Sequence, residues 1–231
     1  MHTVIFGANG GTGRKLVAAA LEAGHTVTAA VRRPEDFDVV HPRLTVSRVD
    51  VYEPDQVDAV ITPADAVVSS LGVPYSRRRI EVYSRGTANI VTAMRRRGVR
   101  RLIVTSSSAT DPAVRFKNSG GGMLLEVLKP LVVFVLGRTT YADMRRMESL
   151  VRGSGLDHTI VRPSGLFDAA EVSDYLVAED HIRGAFTARI DLADFMIAAL
   201  DDVGWIGRTA AVATMHGAPT VLDFFRSEAL S

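Results

Sequence analysis

The sequence predicts an α/β fold built on a doubly wound parallel sheet, and three observations predict it. Short β-rich runs alternate with stretches of helical period from His2 to Pro163. The connections between them are short and punctuated by glycine and proline. The first run ends in a glycine-rich turn, Gly7-Ala8-Asn9-Gly10-Gly11-Thr12-Gly13, that opens a helix.

Each element follows in order. His2 to Phe6 is the first strand; Arg14 to Ala23 carries apolar residues at helical spacing, and Gly24 closes that helix. Thr26 to Val31 is the second strand, ended by Arg32-Arg33-Pro34, which completes a βαβ unit of about 30 residues with a right-handed crossover. Leu44 to Val51 reads as a third strand, Glu53 to Ile61 as a helix, and Ala66 to Ser70 as a fourth strand ending in Leu71-Gly72. Glu81 to Arg97 is a helix stopped by Gly98, and Arg101 to Thr105 a fifth strand ending in Ser106-Ser107-Ser108. After Thr110 the order loosens: Asp111 to Gly122 is polar and glycine-rich, and Met123 to Leu136 is strongly apolar but broken by Pro130, so residues 111–140 read as a lid or mobile segment. Thr139 to Arg152 is a helix stopped by Gly153-Ser154-Gly155, and His158 to Val161 is a sixth strand ending in Arg162-Pro163. Ile190 to Leu200 is a helix, Thr209 to Ala213 a last strand, and Thr220 to Leu230 a terminal helix. Without repeats or a long linker, residues 1–231 are expected to form one domain, with 164–231 a small C-terminal appendage on the substrate side.

Composition excludes several classes of function. With 231 residues, 47% apolar and 23% charged, and a mean hydropathy of +0.13, the chain is globular rather than disordered. Its 27 Lys+Arg balance 26 Asp+Glu, so no whole-protein field favours nucleic acid or an anionic membrane. The clusters Arg77-Arg78-Arg79 and Arg95-Arg96-Arg97 with Arg100-Arg101 lack interleaved aromatics and read as solvated faces; nucleic acid is not an expected partner. The absence of cysteine excludes disulfides, thiolate metal sites and a cysteine nucleophile, and suits the cytoplasm. His25, His158 and His216 lack acids at ligand spacing, so no metal is expected. Met1 to Phe6 lacks a basic leader region, and the charge-free apolar run Pro130 to Gly137 is far below the roughly 20 residues of a membrane span; neither signal peptide nor span is expected.

Five constellations carry chemistry, each with a plainer alternative. Glycines at 7, 10 and 13 let backbone approach a pyrophosphate seated on a helix N-terminus, or they make a tight turn. Arg32 and Arg33, at the end of the second strand where Glu35 is the nearest acid, favour an adenosine 2′-phosphate or form a solvated basic turn. Asp50 beside Val51 accepts from an adenine amino group or caps a turn. Ser106, Ser107 and Ser108 face the ligand crevice, where a hydroxyl can bond a substrate carbonyl or satisfy local backbone. Tyr141 and Arg145, four apart on a helix, share a face as proton donor and activating cation, or as a surface contact.

Together, Gly7-x-x-Gly10-x-x-Gly13, Arg32-Arg33, Asp50-Val51, Val67 to Gly72, Ser106 to Ser108 and Ser154 to Pro163 resemble an atypical short-chain dehydrogenase/reductase. The chain is similar over nearly its whole length to the NmrA-like NAD(P)H-binding group, and also to biliverdin/flavin reductase B. The resemblance implies a Rossmann core that prefers NADP(H), with NAD(H) as the alternative. It places cofactor on Gly7, Asn9, Gly10, Gly11, Thr12, Gly13, Arg32, Arg33, Asp50, Val51, Ser70, Leu71, Gly72, Ser106 and Pro163, and catalysis on Ser107, Ser108 and Tyr141. One departure stands out from the family's Tyr-x-x-x-Lys pair: Tyr141-Ala142-Asp143-Met144-Arg145 has arginine for lysine, and counting back four from Glu148 gives Met144. The implied function is an NADPH-dependent reductase acting on a small or planar hydrophobic acceptor, a carbonyl compound, quinone or flavin. A non-catalytic NADP(H) redox sensor is the alternative, followed by a nucleotide-sugar epimerase, for which little chain remains after Pro163. The expected partner is a small-molecule substrate, and the expected state a monomer or small homo-oligomer.

Overall fold

The structure is a computed structural model and describes residues 1–62, 64–74, 78–111, 137–182, 184–215, 217 and 219. Its strands are β1 (His2–Phe6), β2 (Thr26–Val31), β3 (Leu44–Arg48), β4 (Ala66–Ser69), β5 (Arg101–Thr105), β6 (Asp157–Pro163), β7 (Gly165–Phe167), β8 (Tyr175–Glu179), β9 (Phe186–Ala188) and β10 (Arg208–Thr214). The helices are α1 (Gly11–Glu22), α2 (Pro54–Ile61), α3 (Val82–Arg97), α4 (Arg138–Arg152) and α5 (Arg189–Ala198).

Central strands read as continuous apolar runs because helices cover both faces of the sheet: Val4, Ile5 and Phe6 of β1, and Leu102, Ile103 and Val104 of β5, are fully buried. Eight strands form the order β3-β2-β1-β4-β5-β6-β10-β8, all parallel except the edge strand β8, which runs antiparallel to β10. β7 and β9 make a separate parallel pair. On one face Leu16 and Val17 of α1 meet Leu192 and Met196 of α5. On the other, Val57, Ile90, Met94 and Met147 pack α2, α3 and α4 together. Strand order reverses between β1 and β4, which opens a crevice at their C-terminal ends.

The structure redraws several boundaries. α1 begins at Gly11 rather than Arg14, because the Arg14 amide donates to the Gly10 carbonyl at 2.9 Å and carries helical bonding back into the glycine turn. β3 stops at Arg48; Val49 still donates to Val31 O at 2.8 Å before the chain turns at Asp50. β7, β8 and β9 were not expected, and the chain after Pro163 enlarges the main sheet through β10 and β8. Of the expected lid, Arg138 to Thr140 form the first turn of α4, and Asp111 reaches to 3.8 Å from the Arg162 guanidinium. Residues 112–136, with the apolar run Met123 to Leu136, and the expected helix Thr220 to Leu230 lie outside the described residues, as do Arg77 and His216. No described helix is long and apolar enough to cross a membrane.

Candidate functional site: a dinucleotide crevice

The glycine turn is fixed by what would collide with a side chain. Gly7 adopts φ +75°, and a Cβ there would run into the Ser70 carbonyl oxygen at the exit of β4. At Gly13 a Cβ would run into the Gly7 carbonyl oxygen and the Ala8 backbone, so α1 sits this close to its own turn only through glycine. The Gly10 amide closes the turn on Gly7 O at 3.0 Å. Beyond it the amides of Gly11, Thr12 and Gly13 lie in the first helical turn and have no intrahelical acceptor, which is the setting for a bound anion. This cradle fits the diphosphate of a dinucleotide.

The second-strand end behaves as a cationic rim. Arg32 is exposed and its guanidinium has no ion pair or hydrogen bond among the described residues, whereas Arg33 pairs with Asp36 at 2.7 Å. Glu35 is drawn aside to Arg48 at 2.9 Å, and its backbone hydrogen bond and Arg48 hold its carboxyl below the usual range. Arg14 was not singled out from sequence. Its guanidinium joins Asp38 at 2.5 Å, the Asp36 carbonyl at 2.6 Å and Asn9 Oδ1 at 2.7 Å, and lies over Phe37. It therefore ties the glycine turn to the loop after β2.

Asp50 uses Oδ1 to accept from the Tyr52 amide at 3.0 Å, the turn-capping role. Val51 is buried, and its carbonyl accepts from Asn89 at 2.8 Å. Gly86 of α3 packs here, where a Cβ would come 3.0 Å from Val51 and 3.1 Å from Leu71. The Ser70 amide donates to Phe6 O at 3.0 Å; Leu71 is half-buried and Gly72 exposed.

Across the crevice, the serines are organised by a buried ionic hub. Glu148 of α4 accepts from Ser106 at 2.6 Å, from Thr110 at 2.8 Å, from Arg162 Nε and Nη2 at 2.9 and 2.7 Å, and from Arg152 at 3.1 Å. Burial alone would raise its pKa, but hydrogen bonds from Arg162, Ser106 and Thr110 outweigh burial and bring it down to about 2. Ser106 thus turns its hydroxyl inward. Ser107 accepts the Ala109 amide at 3.2 Å and keeps its own proton to donate. Ser108 is half-buried, with no hydrogen-bond partner for its hydroxyl among the described residues. Pro163 ends β6 buried, next to Val212.

Tyr141 lies half-buried on α4, with Arg145 exposed one turn on. The buried face of α4 instead carries Thr140, Asp143, Met147, Glu148 and Val151. Asp143, fully buried, accepts from the amides of Tyr83 at 3.0 Å and Ser84 at 3.2 Å and from the Ser84 hydroxyl, which locks α4 to the start of α3. Sequence reasoning missed Asp143 and gave Glu148 no structural role. Their signal was an acid at the apolar spacing of an amphipathic helix. Among the described residues, no group of three or more His, Asp or Glu is placed to hold a metal ion.

A family model described as NAD(P)H-binding matches residues 7–203. The chain is 27% identical over 209 residues to a Bacillus subtilis protein named uncharacterized sugar epimerase YhfK, covering 87% of this chain and 89% of that one. Among solved structures it matches the oxidoreductase ylbE from Lactococcus lactis at a TM-score of 0.76 and 17% identity, over 100% and 98% of the two chains. It also matches a short-chain dehydrogenase/reductase from Veillonella parvula in complex with NADP, at 0.71 and 22% identity, over 93% and 95%. At such identities these structures speak to the fold. With the glycine cradle, the open helix start and the switch-point crevice all inside the matched span, the chain belongs to the NAD(P)H-binding family and carries a Rossmann fold.

Proposed function

We propose that the protein is an NADPH-dependent reductase that delivers hydride to a small or planar hydrophobic acceptor, a carbonyl compound, quinone or flavin. One arrangement carries the reading: the glycine cradle and Arg32, unpaired among the described residues, lie on one side of the switch point, and the serine loop at the β5 exit, tied to Glu148 through Ser106, lies on the other. In this scheme the first-turn amides of α1 hold the diphosphate and Arg32 takes the 2′-phosphate. Val51 and Leu71 form an apolar wall for the adenosine half. Ser107 and Ser108 donate hydrogen bonds to the acceptor oxygen as it gains negative charge, and Glu148 keeps their loop in place. Tyr141 is the proton donor where the acceptor needs one. The bound dihydronicotinamide supplies the hydride. The NADP held by the Veillonella parvula protein supports the choice of cofactor.

One observation favours a second reading, a non-catalytic NADP(H) sensor: α4 carries no lysine, and Arg145 in the nearest position is exposed. The experiment that tests both begins with NADPH and NADH titrations followed by nicotinamide fluorescence, with Arg32→Ala alongside. An acceptor screen follows. Sustained NADPH oxidation, abolished by combining Ser107→Ala with Ser108→Ala, supports the reductase. Binding without turnover of any acceptor supports the sensor, and interconversion of a nucleotide sugar with no net NADPH consumed would move the protein to the activity named for its Bacillus subtilis relative.

A further inference from the structure

We infer that Arg189 is a diphosphate-binding residue of the nucleotide site, supplied by the chain beyond β6, and that Asp168 occupies its guanidinium until the anion arrives. The inference rests on the nucleotide-binding half of the proposed function and adds a ligand contact that the glycine turn itself does not contain.

The observation begins at Gly11, the first residue of α1. A Cβ built there would lie 3.1 Å from Arg189 Nε and 3.2 Å from its Cδ, so the arginine side chain lies against the backbone of the first helical turn. Arg189 is the first residue of α5 and its side chain is 23% exposed. A cation is therefore held beside the same unpaired amides that await an anion, and positive potential from both sources converges on one spot. The ion pair that answers it is weak in construction: Arg189 Nη1 meets Asp168 Oδ2 at 3.2 Å, and Asp168 is 72% exposed. Nε and Nη2 have no acceptor among the described residues. Among the described residues Arg14 also lies at this turn but is committed to Asp38, Asn9 and the Asp36 carbonyl, whereas Arg189 has donors to give.

The chemistry selects the ligand. A guanidinium presents a planar fork that matches two phosphate oxygens, and beside bare backbone amides it recognises a diphosphate rather than a neutral group. A Cβ at Gly11 would make the arginine give way by a few tenths of an ångström, so glycine lets it lie closest to the amides.

The test titrates wild type, Arg189→Ala, Arg189→Lys and Asp168→Asn with NADPH by nicotinamide fluorescence, and with adenosine 2′-monophosphate by calorimetry. The second probe has the ribose phosphate but lacks the diphosphate. Arg189→Ala is expected to weaken NADPH about tenfold while leaving the monophosphate within about twofold, and Arg189→Lys to recover part of the loss. Asp168→Asn is expected to tighten NADPH two- to threefold by removing the competitor, about the effect of one exposed ion pair. Unchanged NADPH affinity in Arg189→Ala beside a wild type that binds overturns the inference and leaves the proposed function standing. Equal losses for both probes overturn it as well, because they show a structural role for Arg189. Wild type that binds no NADPH takes down both readings.

Discussion

The two sides of the crevice reach rigidity by different means. The nucleotide side is built from backbone: Gly7 and Gly13 bring turn, strand exit and helix into contact that no Cβ permits, and neither titrates. The serine side is built from ionised side chains: Glu148 of α4 gathers Ser106 and Thr110 from the loop after β5 and Arg162 from β6 inside the protein. A backbone cradle is fixed by sterics and indifferent to pH, whereas a buried ionic hub is fixed by charge and therefore tunable. On the proposed reading, the nucleotide rests on the support fixed by sterics and the acceptor beside the one fixed by charge.

The harshest way to break this contrast is Gly13→Ala. The methyl meets a carbonyl oxygen and backbone carbons rather than a flexible side chain, so the expected cost is about 3 kcal/mol, the upper part of the overpacking range, with NADPH binding lost. Urea unfolding and a fluorescence titration measure the two effects, and a near-neutral variant would show that the turn can relax.

Glu148 gives the matching test on the other side. Its pKa falls from 4.5 unfolded to about 2 folded, so its stabilisation is complete above about pH 4.5 and is lost as the pH falls toward 2. The shift corresponds to about 3 kcal/mol. Urea midpoints measured from pH 6 to 2.5 should fall more steeply in wild type than in Glu148→Gln, where Glu35, Asp58 and Asp157 still titrate; the variant pays a similar cost at neutral pH by leaving Arg162 buried beside a neutral amide. Turnover of any acceptor found should fall with it, while NADPH affinity changes little. An identical acid slope in both proteins would remove Glu148 from the account.

How legible each side was follows from the same contrast. β1, β2 and β5 were read to the residue because a buried parallel strand is a continuous apolar run bounded by turn residues, a signal contained in the strand itself. The glycine cradle was legible for a like reason, since the steric demand on Gly13 comes from Gly7 and Ala8 in the same turn, although that on Gly7 comes from Ser70 at the exit of β4. β8 was not read: none of its residues is fully buried, and its partner β10 lies some thirty positions downstream. Glu148 and Asp143 were visible as acids on the apolar spacing of α4, yet their partners come from β5, β6 and α3, and nothing local names them. The family resemblance placed Ser106 on the cofactor; the direction of its hydroxyl, toward Glu148, was not legible from its own segment.

A smaller effect sharpens the nucleotide side. Arg32→Ala removes an exposed cation with no described partner, so stability should hardly move. NADPH affinity should fall about tenfold with NADH affinity unchanged. Equal losses for both nucleotides would mean that Arg32 acts elsewhere than on a 2′-phosphate.

The smallest effect asks whether the far edge of the sheet belongs to either side of the crevice. Tyr175 on β8 donates its hydroxyl to Asp194 at 2.6 Å, and burial together with that acid pushes the phenol up. The phenol therefore stays protonated through the working pH range and acts only as a donor. Tyr175→Phe keeps the ring against the core formed by α1, α5 and the sheet and removes one hydrogen bond to a charged group. Because Asp194 is only half-buried, water can replace the lost donor, so the cost should be about 1 kcal/mol, read as a shift in the urea midpoint. NADPH affinity should stay within experimental error, because four strands, β4, β5, β6 and β10, separate β8 from β1 and the glycine cradle at its end. A change in affinity as large as that of Arg32→Ala would show instead that the edge strand, through α5 and its first residue Arg189, sets the position of the nucleotide, and the division of the crevice into a backbone side and a charged side would have to be redrawn.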